Sequence, residues 1–138
     1  MMKDYVIDAL ISIGIPAGIK GFSYICDAME LFSTDPYYPD GKISVLYIDI
    51  AKKYHTTPSR VERSIRHAFD IALTKGDPDM VAHYLDLTNR QNSTQLRTLY
   101  LRIGNDGDIR QNAAISNATH RLVLHRLVNL KHRSIWKQ

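Results

Sequence analysis

Thr57-Pro-Ser-Arg-Val-Glu-Arg-Ser-Ile-Arg-His-Ala-Phe-Asp-Ile-Ala-Leu-Thr74 is the stretch on which the reading of the whole chain turns. Thr57 suits an N-cap, because its hydroxyl can accept from an unpaired first-turn N–H, and Pro58 suits the first helical position, where its missing N–H would have had no intrahelical partner. A helix is predicted from there to about Thr74, with Gly76 ending it. At about 100° per residue, Val61, Ile65, Ala68 and Ala72 form one narrow stripe flanked by Phe69, and that stripe must pack on a core. The opposite arc holds Ser59, Arg63, Arg66, His67 and Asp70, with Arg60 and Glu62 at its edges. The guanidinium groups of Arg60, Arg63 and Arg66 are therefore turned outward.

Working outward, Ile43 to Tyr54 reads as a preceding helix with Val45 or Leu46, Ile50 and Tyr54 on neighbouring turns and Lys52 and Lys53 outward at its end. The break at His55-Thr56-Thr57 makes the pair a helix-turn-helix. Upstream, helices are expected over about Lys3 to Ile13, closed by Gly14 and Pro16, and over about Ala17 to Ser33, followed by a loop at Thr34 to Gly41. Downstream, Asp77-Pro78 opens a helix to about Leu87, and Asn89 to Thr94 is polar and loop-like. Leu96, Leu99, Tyr100 and Ile103 fit a helix, although Leu99, Leu101 and Ile103 also fit a strand; helix is the reading adopted. Gly104 to Asp108 reads as a turn, and Ala113 to Ile135 as a final helix. The fold class is thus all-α: a bundle of about six helices containing a helix-turn-helix over residues 1–104, with a basic amphipathic extension over 105–138.

The chain has 138 residues and a formal charge of +4, placed unevenly. Residues 1–49 carry −4, residues 50–75 carry +4, residues 76–108 carry −2, and residues 109–138 hold six Lys/Arg and no acid. Two basic regions on an acidic frame point to a polyanionic partner. No apolar run is long enough to span a bilayer, and the opening residues lack the order of a secretory signal, so a cytoplasmic, nucleoid-associated protein is expected. The single cysteine, Cys26, supports neither an internal disulfide nor a zinc pattern, and is read as core filler rather than a nucleophile.

Arginine pairs bidentately with the O6 and N7 edge of guanine, and glutamate accepts from the cytosine N4 amine. A surface that only gripped phosphate would gain nothing from the Glu62 carboxylate, whereas a base-reading surface uses one to discriminate. Arg60, Glu62 and Arg63 are accordingly read as base contacts. Lys52, Lys53, Thr56 and Thr57, at the neighbouring helix ends, are read as phosphate contacts. The bland alternative is a solvated face in which Glu62 pairs with Arg66 four residues on, and an ordinary exposed histidine at position 67.

Ile13-Gly-Ile-Pro-Ala-Gly-Ile-Lys-Gly-Phe22, Leu46-Tyr-Ile-Asp-Ile-Ala-Lys-Lys-Tyr54 and Thr56-Thr-Pro-Ser-Arg-Val-Glu-Arg-Ser-Ile-Arg-His67 closely resemble the DNA-binding effector domain of the stage-zero sporulation response regulators. The resemblance covers about residues 5 to 87 and extends toward Ile103. It implies a six-helix domain that binds short DNA boxes, often as tandem copies, to activate or repress promoters. Arg60 and Glu62 match base-reading positions, Arg63, Arg66 and His67 match further contacts in the same helix, and Ser59 matches a contact at its start; the resemblance thereby implies His67 as a further base contact and Ser59 and Arg66 as further DNA contacts. Two departures stand out. Met-Met precedes the matched region where the family carries a receiver domain, so control by aspartyl phosphorylation does not carry over, and residues 105 to 138 match nothing in the family.

On a helix from Arg121 to Arg133, Val123, Leu124, Leu127, Val128 and Leu130 oppose Arg121, His125, Arg126, His132 and Arg133. A closing helix, a DNA-backbone contact and a membrane-surface contact all fit that pattern, while the spacing of His120, His125 and His132 does not align a metal site on one face. Asp49, His55, His67 and Asp70 offer acid–base groups, but no nucleophile–base motif, phosphate loop or metal set accompanies them, so neither an enzyme nor a cofactor is expected. The competing reading is a helical adaptor that modulates a full-length regulator of the resembling kind. Double-stranded DNA, with homodimeric or tandem binding, is the expected partner.

Overall fold

Leu96, Leu99 and Ile103 lie at 0–1% exposure while Leu101 is 61% exposed, a helical and not an alternating pattern. The computed structural model describes residues 2–35, 38 and 41–107. Its helices are α1 (Met2–Ser12), α2 (Lys20–Thr34), α3 (Ile43–Lys53), α4 (Pro58–Lys75), α5 (Pro78–Tyr84) and α6 over 92–107. No strand occurs among the described residues, and the architecture is all-α as expected. Residues Met1–Asn105 form one compact unit. The basic helix expected over Ala113 to Ile135 lies outside the described residues, as does most of the loop at 34–41.

Helix α2 is the centre of the unit, packing on α1, α3 and most extensively on α4. Helix α4 in turn packs on α3 and α5. Val61, Ile65, Ala68, Phe69 and Ala72 are all buried, so the stripe read from periodicity is the anchoring face of α4. The crossing of α2 and α4 depends on Gly21: a Cβ there would run into the main-chain oxygen of Ser64 and stand 2.8 Å from the Ala68 Cβ. A second bare contact closes the far end of α4. Gly14, at φ +89°, would bring a Cβ to 3.1 Å from the Gly76 Cα, and a Cβ on Gly76 would strike the Ile13 carbonyl oxygen.

Several boundaries differ from the sequence reading. Helix α2 starts at Lys20 rather than Ala17, because residues 17 and 18 form a turn and Ile19 is extended at the N-cap. Helix α5 ends at Tyr84 rather than Leu87. Beyond it, the buried Gln95 accepts from the Asp86 N–H at 2.9 Å and donates to the Asp86 and Asn89 carbonyls at 2.6 and 2.8 Å, so the chain bends around that amide. The loop expected through Thr94 stops short, since α6 begins at 92, and the turn expected at Gly104 is helical through 107. Gly104 has open space around its Cβ position, and Ile103 remains on the buried face beside it. Continued packing of that face outweighs the roughly 1 kcal/mol that a mid-helix glycine costs.

Candidate nucleic-acid interface

The start of α4 is built as its sequence dictates. Thr57 is extended at the N-cap, its Oγ1 accepts from the Arg60 N–H at 3.3 Å, and Pro58 opens the first turn. The Thr57 hydroxyl proton remains available to a phosphate oxygen. Between α3 and α4 the turn is closed by Tyr54 N–H to the Ile50 carbonyl at 3.2 Å and Thr56 N–H to the Ala51 carbonyl at 3.0 Å. His55 takes the left-handed conformation there, at φ 53°. That conformation is uncommon for a non-glycine residue, and histidine is among the types that tolerate it.

With Val61 and Ile65 fully buried behind them, Ser59, Arg60, Arg63, Arg66 and His67 are exposed. They do not share one environment. Arg60, Arg63, Ser64 and His67 line a concavity of about 590 Å³ together with Thr56, facing Gly18, Lys20 and Gly21 at the start of α2. Glu62 and Arg66 lie apart from it and pair with each other through Oε1 and an Nη2 donor. The i,i+4 pair that the bland reading foresaw is thus present, but it engages only Arg66 and leaves Arg60 and Arg63 outside any ion pair among the described residues. Asp70 is approached by Arg90 at 3.8 Å.

The two lysines at the end of α3 also separate. Lys52 is exposed with no ion pair among the described residues. Lys53 Nζ donates to Asp27 Oδ1 at 2.9 Å, and the Asp27 carboxylate beside it raises the Lys53 pKa. Lys53 faces a different cleft, of about 760 Å³, between α1, α2 and the end of α3. Tyr54 beside it has its pKa raised by burial and by Asp27, and packs edge-on against Tyr24 at 5.0 Å. Among the described residues no group of three or more His, Cys, Asp or Glu side chains is placed to hold a metal ion, and no helix is long and apolar enough to cross a membrane.

A turn-linked helix pair whose second member is anchored from behind and presents arginines that have no ion pair among the described residues is accompanied by a family match in sequence. The model of the sporulation initiation factor Spo0A C-terminal domain matches residues 6–103. The chain belongs to the Spo0A C-terminal family. Spo0A C-terminal domains are DNA-binding effector domains of sporulation response regulators, which act in transcription regulation and are not a class of enzymes. The family match extends beyond α5 into α6, which the sequence resemblance covered least well.

What the sequence reading missed lies in α6 and α2. Asn92, the first residue of α6 and 6% exposed, donates through Nδ2 to the Glu62 main-chain oxygen at 3.0 Å and to Tyr47 Oη at 3.1 Å. One amide thereby ties both helices of the helix-turn-helix to α6. A carbonyl oxygen can only accept, so the amide nitrogen must face Glu62, and its Oδ1 is left buried without a partner. Burial raises the Tyr47 pKa, and the Asn92 hydrogen bond opposes the rise. In a Spo0A C-terminal sequence read alone, a polar run from 89 to 95 gives no sign that two of its residues, Asn92 and Gln95, belong to the interior.

Proposed function

We propose that this chain is a sequence-specific transcriptional regulator that places α4 in the major groove of double-stranded DNA. The observation that carries the reading is the pair of exposed guanidinium groups, Arg60 and Arg63, on a helix whose opposite face is wholly buried and whose two carboxylates, Glu62 and Asp70, pair with Arg66 and Arg90 instead. In this reading Arg60, Glu62, Arg63 and His67 meet base edges, with arginine matched to guanine and glutamate to cytosine. Lys52, Thr56, Thr57, Ser59 and Arg66 serve as positioning contacts, and Lys53 joins them by exchanging Asp27 for a phosphate. Neighbouring copies on tandem boxes belong to the same reading.

The test is selection of bound sites from random duplex DNA, followed by mobility shift of the selected box and a scrambled one. Arg60→Ala is expected to abolish the preference between them while retaining weak binding to both. An equal loss on both duplexes would make Arg60 a phosphate contact and remove the base-reading role, and failure to enrich any site would favour a helical adaptor.

A further inference from the structure

Six basic side chains on and near α4 divide into two sets. Lys53, Arg66 and Arg90 each have an acidic partner, in Asp27, Glu62 and Asp70. Lys20, Arg60 and Arg63 make no ion pair among the described residues and converge, with His67, on the concavity between α2 and α4, whose lining includes no carboxylate. Thr56 and Ser64 add hydroxyl groups to it. Two helices far apart in sequence thus place like charges around one hollow, an arrangement whose self-repulsion is relieved by an anion.

The backbone makes room for such an anion. Gly21 lets α2 approach α4 closely, while Gly18, on the same wall, has nothing within 4 Å of its Cβ position. We infer that the Lys20 wall of this concavity seats a backbone phosphate of the bound duplex, so that α2, outside the helix-turn-helix pair, takes a sequence-independent share of DNA binding. The inference rests on the duplex-binding reading above and adds a residue that reading does not use. Lysine suits the role, because its ammonium is a point charge with three rotatable donors that accepts a range of phosphate positions. A contact of this kind fixes register and carries no base information.

The test uses the full chain, a duplex carrying the selected box and a scrambled duplex, with affinities measured by fluorescence anisotropy between 50 and 200 mM salt. Lys20→Gln is expected to weaken both duplexes by the same factor and to lower the slope of log affinity against log salt by about 0.9, so that the gap to wild type closes about 3.5-fold across that range. Lys20→Arg is expected to restore the slope. Gly18→Glu, which adds a carboxylate to the wall of the hollow and keeps lysine at position 20, is expected to weaken both duplexes, with thermal unfolding confirming that each variant folds. An unchanged slope for Lys20→Gln, or a loss confined to the selected box, overturns the inference and leaves base reading by Arg60 standing. A lowered slope in a chain that never distinguished the two duplexes keeps the phosphate seat and removes base reading. A wild-type chain that binds neither duplex overturns both.

Discussion

The Asn92 side-chain amide donates to the Glu62 main-chain oxygen at 3.0 Å, joining the start of α6 to the second turn of the helix that carries the exposed arginines. The same nitrogen reaches Tyr47 on α3, so one buried group bridges both helices in addition to their direct packing. Removing it leaves the Tyr47 hydroxyl and the Glu62 main-chain oxygen without this partner. Asn92→Ala is expected to cost about 1–3 kcal/mol of stability, read as a lower urea midpoint. Discrimination between selected and scrambled DNA should fall as well, under conditions where the variant is still fully folded. A variant as stable and as selective as wild type would show that Asn92 does not position α4.

Glu62 holds Arg66 and presents the only carboxylate among the residues read as base contacts. Glu62→Gln removes a negative charge and releases Arg66, so affinity for scrambled duplex is expected to rise. Discrimination at the base it meets is expected to fall by about 1–3 kcal/mol, the worth of one good base contact. Anisotropy titrations on both duplexes check the two changes together; a parallel gain on both would leave Glu62 with no role beyond its charge.

Gly21 and Gly18 make a matched pair for a packing test. Gly21→Ala forces a methyl group against the Ser64 carbonyl and Ala68, and overpacking of this kind costs about 1–3 kcal/mol. For a domain of this size the loss amounts to a fall of several degrees in Tm, about 4–8 °C per kcal/mol. Gly18→Ala meets open space, and its effect should stay within about 0.5 kcal/mol. Differential scanning calorimetry of the two variants decides the point.

The α4 stripe and its Thr57-Pro58 start were legible because both are local: a repeat of 3.6 and a cap within one turn need no knowledge of the rest of the chain. The same holds for Gly14, whose left-handed φ follows from its place at a helix end. Lys20 and Asp27 were not legible as parts of the interface, since only the crossing of α2 over α4 and α3 sets one beside Arg60 and the other against Lys53. Asn92 was read as loop on polarity, and Gln95, just past that run, was given no place. Their burial is stabilised by hydrogen bonds to backbone groups from other segments, which no window of sequence displays. The Gly104 turn failed for the opposite reason, because Leu96, Leu99 and Ile103 give α6 a buried face that outweighs local turn preference.

Cys26 lies half-buried on α2, where burial and then the neighbouring Asp27 charge raise its thiol from 9.0 to about 11, against a small opposing effect of Lys3. The nucleophile is the thiolate, so alkylation by iodoacetamide at pH 7 is expected to be about a hundredfold slower than in the urea-unfolded chain. The sign of the linked stability follows from the raised value. The protonated thiol favours the folded state fully below pH 9, and that contribution is lost as pH rises from about 9 through about 11. A folded-state alkylation rate equal to the unfolded one would contradict it.

At the end of α4 away from Thr57, Gly14 and Gly76 touch with no side chain between them, and the Ile13 carbonyl fills the space a methyl would need. The aim of the helix is therefore set in part by two absences, at residues that reach no base and carry no charge. For a reader of this build, a footprint drawn from chemical protection and a tolerance chart drawn from random substitution describe different objects: the first ends where the duplex ends, and the second continues to the hinge behind it.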